Sequence, residues 1–96
     1  MVINTNIKQE GFMSDENTKR ELTFGEKAMG VSFNPAGSPN VDKLKGLYAE
    51  IADVMNDIRS EATNQGNGEQ ARLASVAITE AQGAQMWAVK AATWGL

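Results

Sequence analysis

Apolar residues recur at helical spacing in two long stretches of the chain and are scarce before them. From Val41, the positions Leu44, Leu47, Tyr48, Ile51, Val54, Met55 and Ile58 step by three and four, which marks one apolar helix face, with Asp42, Lys43, Glu50, Asp53 and Asp57 opposite. Ser38 followed by Pro39 predicts the start, because Ser caps free amides and Pro suits the first helical position. The pattern carries this helix to about Ala62. The run TNQGNG at 63–68 breaks it, and Asn67 or Gly68 can cap a last helix whose Glu69 favours the positive end. That helix is apolar around most of its circumference as far as Trp94. Leu73, Val76, Ala77, Ala81, Ala84, Ala88 and Ala91 form a face of mostly small side chains, while Ile78, Met86, Trp87, Val89 and Trp94 project at other angles.

Ahead of the two long stretches, Thr23-Phe24-Gly25-Glu26 reads as a capping box that opens a short helix, and Gly30 stops it. GVSFNPAGSPN at 30–40 holds both prolines of the chain and is a structured turn region. Residues 1–21 are polar, mixed in charge and without apolar period, so they are expected to form a flexible arm, with 22–96 as the folded domain. The predicted class is all-α: a short N-terminal helix followed by a long antiparallel helical hairpin. Two helices can cover only one face of each other. The surplus apolar surface is therefore predicted to be buried between subunits of a compact, closed homo-oligomer.

Composition narrows the chemistry. Ninety-six residues make one small domain, and nine basic against twelve acidic side chains argue against broad DNA or RNA binding. Without Cys or His the chain has no thiolate or imidazole for catalysis or metal binding. No base of neutral-range pKa stands ready to activate Thr79 beside Glu80, so no catalytic residue is assigned. Asp53 and Asp57, one turn apart, can share a magnesium ion but fit a solvated face better, so neither a metal site nor a cofactor is expected. The amino-terminal sequence lacks a basic, apolar leader and no segment reaches the ~18 apolar residues of a membrane span, which predicts a soluble cytoplasmic protein without membrane contact.

A binding constellation remains. Lys27 closes the short helix, Phe33 and Asn34 lie in the Gly/Pro loop, Lys45 sits in the first turns of the long helix, and Arg72 and Lys90 are the cations of the last. An aromatic face, edge-reading polar groups and a few cations suit a ligand with bases and phosphodiesters. Each residue also has a structural reading: Phe33 as a loop anchor, the lysines as solvated helix residues, Arg72 as the partner of a carboxylate, and Trp87 and Trp94 as interface anchors.

LTFGEKAMGVSFNP at 22–35, KLKGLYAEIADVMNDIR at 43–59 and ARLASVAITEAQGAQMWAVKAATW at 71–94 resemble the small phage proteins with an anti-CBASS, anti-Thoeris hairpin domain. The resemblance implies a helical homo-oligomer, by analogy a hexamer, that sequesters cyclic oligonucleotide signals intact in the cytoplasm of the infected bacterial host. It implies cyclic dinucleotides such as 3′,3′-cyclic GMP-AMP in sites shared between protomers, cyclic trinucleotides in separate sites in some members, and cyclic ADP-ribose isomers in a related branch. Lys45 matches the phosphate-gripping lysine of relatives. The stacking aromatic has no direct match, since Lys19 stands where relatives carry Tyr; Phe33 is the substitute, with Phe24 behind it. Arg72 matches an arginine that opens the last helix of relatives, which implies a contact for a second ligand or for a subunit interface. The other classes in play are a hairpin adaptor that binds a protein, and an enzyme that degrades the same signals.

Overall fold

The computed structural model describes residues 20–96, which form three helices and no strand. Helix α1 spans Phe24–Met29, α2 Pro39–Asn64 and α3 Gly68–Ala92. The local start signals act as expected. The Thr23 hydroxyl accepts from the Glu26 amide while the Glu26 carboxylate accepts from the Thr23 amide, closing the capping box, and Gly30 ends α1 in the left-handed region at φ 65°. Ser38 caps α2 with Pro39 following, and the Asn67 side chain caps α3 by accepting from the Gln70 amide.

The ends differ slightly from the sequence reading. α2 runs two residues past Ala62, because Thr63 stays helical by donating its hydroxyl to the Arg59 carbonyl. α3 stops at Ala92 instead of Trp94: Thr93 turns its hydroxyl back onto the Val89 carbonyl, and Trp94 lies in the turn beyond.

α2 and α3 lie antiparallel, and α1 folds back antiparallel along α2, so that Gly25 meets Asp53 while Gly30 meets Lys45. The seam is made of small residues. Ala49, Ala52 and Ala62 of α2 and Ala74 and Ile78 of α3 are buried, and Met29 of α1 packs on Ala49 and Ala52 with Val31, Tyr48 and Ala81 around it. Small side chains let helix axes approach closely and leave little volume for large ones. The consequence revises the predicted packing. Leu47, Ile51, Val54 and Ile58, counted from the sequence as the packed face of α2, form an exposed stripe, and Asp53, counted with the solvated face, turns toward α1. On α3, Leu73, Val76, Met86 and Trp87 are exposed too, as is Trp94 beyond it. The surplus apolar surface inferred for α3 is thus present on the single chain, and α2 carries its own.

Gly25 fixes the closeness of α1 to α2. A Cβ placed there would lie 2.0 Å from the Ala49 carbonyl oxygen, and the Gly25 amide donates to Asp53 Oδ1 at 2.6 Å. Residues 1–19 of the expected arm lie outside the described residues. Arg20 and Glu21, assigned to that arm, are tied to α1: Arg20 forms a fork onto Glu26 at 2.8 and 2.6 Å, and Lys27 pairs with Glu21 at 3.6 Å.

Candidate functional site

Lys45 is the centre of the site. It stands on the inner face of α2, one turn after Val41 and one before Ala49, and is 6% exposed. Its ammonium donates to the carbonyl of Gly30 at 3.0 Å and of Phe33 at 2.5 Å, and lies 5.5 Å from the centre of the Phe33 ring. No carboxylate among the described residues pairs with it. A buried cation held only by neutral oxygens and a ring is costly unless an anion joins it. An ammonium carries three N–H donors, and two are engaged here. The third has no acceptor among the described residues.

The loop around it is rigidly organised by Asn34. The Asn34 carboxamide accepts from the Ser38 amide at 3.2 Å and donates to the Ser38 carbonyl at 2.8 Å and to Asp42 Oδ1 at 2.9 Å, while Gly37 turns back on the Asn34 carbonyl. Both amide hydrogens are thereby occupied. Asn34 shapes the loop and has little left with which to read a base edge. Phe33, by contrast, is 70% exposed, so one face of its ring remains open above Lys45.

These residues border a cleft of about 310 Å³ between the loop, the start of α2 and the end of α3. Phe33, Asn34 and Lys45 all line it, with Pro35, Ala36, Val41, Val89, Thr93 and Leu96. The structure therefore brings together three of the seven residues singled out in the sequence, and Lys90 lies outside the cleft beside Trp87 and Trp94. The others stand elsewhere. Phe24, at the start of α1, covers the Arg59 guanidinium at 5.2 Å. Lys27 is exposed and paired with Glu21. Arg72 is exposed on the first turns of α3 and forks onto Glu69 at 3.1 and 2.7 Å, which lowers the Glu69 carboxyl below its ordinary range and raises the guanidinium above its own.

Sequence reasoning missed two sets of residues. Val41, Val89, Thr93 and Leu96 line the cleft but carry no charge or ring to draw notice. Arg59 escaped as an ordinary helix arginine, although its place 14 residues after Lys45 puts it on the same inner face of α2. Its half-buried guanidinium donates to Ser75 Oγ at 3.1 Å and to Asn56 Oδ1 at 2.7 Å.

Among the described residues no group of three or more acidic, His or Cys side chains is placed to hold a metal ion, and no helix is long and apolar enough to cross a membrane. Asp53, considered for magnesium with Asp57, instead receives the Gly25 amide. No curated protein and no solved structure matches the chain. The family described as "Acb2/Tad1, hairpin domain" does match, over residues 26–93, a span that contains α2, α3, the Gly/Pro loop and all but the first residues of α1. With more than two thirds of its length and its whole hairpin inside that match, the chain belongs to the Acb2/Tad1 hairpin-domain family, the phage sponges that sequester cyclic nucleotides against CBASS and Thoeris defence.

Proposed function

We propose that this protein captures cyclic oligonucleotide messengers in the cytoplasm of the infected bacterium, cyclic dinucleotides such as 3′,3′-cyclic GMP-AMP first among them, and withholds them from CBASS effectors without cleaving them. The observation that carries this reading is the Lys45 ammonium, buried under an open Phe33 ring with no carboxylate partner among the described residues. A phosphodiester supplies the missing charge and accepts the remaining N–H, while its base stacks on the outer face of Phe33. The carbonyls of Gly30 and Phe33 aim the ammonium in advance, which reduces the entropy lost on binding.

The cleft of about 310 Å³ stands at the lower edge of the ~300–1,000 Å³ usual for ligand pockets. One protomer encloses part of a two-base ring, and a second protomer covers the rest. The exposed apolar residues of α2 and α3 supply the surface for that assembly, with Trp87 and Trp94, 73% and 81% exposed, as anchors. The family analogy makes the assembly a hexamer. Cyclic trinucleotides are a second ligand class of the same chemistry. Sequestration then acts by mass action: sponge in excess of signal, with the lower dissociation constant, keeps free messenger below the level that activates an effector.

Calorimetry with 3′,3′-cyclic GMP-AMP, followed by denaturation and chromatography of the released nucleotide, tests the reading. Saturable binding with full recovery of intact ligand is expected. An unchanged melting transition at saturating cyclic di- and trinucleotide would favour a protein-binding adaptor, a response to cyclic ADP-ribose isomers alone would shift the protein to the Thoeris branch, and recovery of linear products would make it an enzyme. Trp87→Ala is expected to lower the mass measured by light scattering. An unchanged mass would remove Trp87 from the interface.

A further inference from the structure

The inner face of α3 carries two glutamines three residues apart, and only one of them is bonded. Gln82 donates from Nε2 to the Ala28 carbonyl at 3.0 Å. Gln85, one turn before Val89 of the cleft, is 6% exposed, yet its carboxamide has no hydrogen-bond partner among the described residues. A carboxamide brings two N–H donors and an acceptor into the seam, and leaving them unmade costs more than an ordinary hydrogen bond returns. A methionine would fill similar volume without that cost. An unpaired buried amide in a native seam therefore marks strain or function and not packing.

The strap that ends α1, from Ala28 to Phe33, passes over this glutamine. The Arg59–Ser75 bond sets the antiparallel register, so that 14 residues back along α2 and 14 forward along α3 Lys45 lies opposite Val89, and 7 in each direction Ala52 lies opposite Gln82. The strap is tied at both levels. Its Ala28 carbonyl is bonded to Gln82, and its Gly30 carbonyl to Lys45. Between those ties lie Gln85 on α3 and Met29 on the strap. Met29 is 3% exposed, and its carbonyl accepts no hydrogen bond among the described residues. An unengaged donor and an unengaged acceptor thus share one level of the fold.

We infer that Gln85 is a positioning residue for messenger capture, a reserve donor that holds the strap through the Met29 carbonyl when the Lys45 ammonium turns from the loop toward a bound anion. The inference rests on the Lys45 cleft being the messenger site. A charge-assisted bond to a phosphodiester is roughly twice as strong as one to a neutral carbonyl, so the ammonium moves toward the anion and its bonds to Gly30 and Phe33 loosen. The strap then shifts over α3. In the shifted position Gln85 donates to Met29, and a bond unmade in the free protein offsets part of the cost of moving the loop. The unmade bond makes the strap easier to move, and firmer once moved.

Gln85→Met in the full chain tests this, because it keeps the length of the side chain and removes its polar atoms. Affinity for 3′,3′-cyclic GMP-AMP, by calorimetry, is expected to fall about three- to tenfold, while the melting temperature without ligand stays level or rises, since a buried unpaired amide is gone. A glutamine with a packing role alone would move both the same way. Lys45→Met gives a second arm that needs no ligand: with the lysine tether removed, the Gln85 side-chain amide protons are expected to move downfield and to exchange with solvent more slowly than in the unsubstituted protein. Equal affinity in Gln85→Met, a Gln85→Met chain that melts lower or fails to fold, or Gln85 amide protons already bonded and slow in the free unsubstituted protein overturns the inference. The two readings fail separately. An unsubstituted protein that binds no cyclic nucleotide sinks the messenger reading, whereas Gln85 amide protons that do not respond to Lys45→Met sink the reserve donor.

Discussion

Two phenylalanines bracket the short helix α1, and each lies over a cation that rises from the inner face of α2. Phe33 covers Lys45 at 5.5 Å and Phe24 covers Arg59 at 5.2 Å. The pairs look alike but differ in what holds the charge. Lys45 is buried and bound to main-chain carbonyls of the loop, so its head is fixed and the loop depends on it. Arg59 is half-buried and bound to side-chain oxygens, which leaves a fan of donors open. Burial with backbone acceptors fixes the direction in which Lys45 presents its third N–H. Partial exposure with side-chain acceptors leaves Arg59 less tightly directed. The same residue chemistry therefore gives an aimed cation at one end of α1 and a looser one at the other.

Gly25→Ala breaks both pairs at once, and is expected to have the largest effect. The new Cβ would collide with the Ala49 carbonyl and the Asp53 carboxylate, and backbone cannot yield as a flexible side chain does. α1 must lift away from α2, which moves Phe24 directly and Phe33 through the loop. Overpacking of this kind costs ~3 kcal/mol, a large share of the ~5–15 kcal/mol that stabilises a typical domain. Chemical denaturation should show a lower midpoint, and both ring environments should change in NMR spectra. A midpoint equal to that of the unsubstituted protein would mean that α1 does not need its close approach.

Lys45→Met separates the pairs, because it acts on one of them. It removes the cation, keeps an apolar stem of similar length and strands the carbonyls of Gly30 and Phe33 in a buried place, at ~1–3 kcal/mol. The charge-reversing Lys45→Glu is a poorer probe: it would press a carboxylate against those same two carbonyl oxygens and disturb the loop as much as the ligand. With Met, affinity for 3′,3′-cyclic GMP-AMP is expected to fall about tenfold or more, while the Arg59 and Phe24 resonances stay in place. Calorimetry and a proton–nitrogen spectrum on the same sample read both effects. Unaltered affinity would take Lys45 out of the ligand site and leave it as a loop staple.

The difference between the pairs also marks how far the sequence alone can be read. Helix starts were legible because Thr23, Ser38 and Asn67 act through bonds to amides three residues away, with Pro39 after Ser38. The grouping of Phe33, Asn34 and Lys45 was legible because loop and helix start adjoin in the chain. The inner seam was not. Periodicity gives weight to large side chains, so it pointed to Leu47, Ile51, Val54 and Ile58, whereas the seam is built from alanines that any helix tolerates. Nor does a lysine in a polar stretch declare its burial, since that follows from the loop folding over it. Arg59 with Phe24, and Gly25 with Ala49, meet only through tertiary contacts between residues 35 and 24 positions apart, for which no local pattern exists. Arg72 was legible to the extent that a carboxylate partner was weighed, and Glu69 is that partner.

Asn34→Ala loosens the Phe33 pair alone. Three bonds to Ser38 and Asp42 disappear, and the α2 cap loses the support of its own loop. The Ser38 hydroxyl still caps Val41, so the helix persists. A loss of ~1–2 kcal/mol is expected, with faster hydrogen exchange at Gly37 and Ser38 and little change near Phe24. Protection that stays high at both amides would show that Lys45 suffices to hold the loop.

Acid loosens the opposite end, by the smallest amount. Arg20 forks onto Glu26, and that bond, aided by the Thr23 amide and hydroxyl and opposed by partial burial, holds the Glu26 carboxyl down at about 2, against an ordinary 4.5. A carboxyl lowered by folding stabilises the folded state fully above its unfolded value, and the benefit is lost as pH falls from there through about 2. Arg20 is 65% exposed, so solvent screens the pair and Arg20→Ala should cost no more than ~1 kcal/mol near neutral pH. The same substitution should bring the Glu26 titration back toward its ordinary range, because the largest cause of the lowering is gone. Carbon-detected titration of Glu26, with amide exchange at Phe24 and Gly25 followed over the same range, checks both statements. As the capping box weakens in acid, Phe24 should lose its fixed position over Arg59 while Phe33, whose loop is held by the Lys45 bonds to the Gly30 and Phe33 carbonyls, keeps its own. Loss of order at Phe33 before Phe24 would reverse the ranking of the two pairs, and place the stronger anchor at the start of α1.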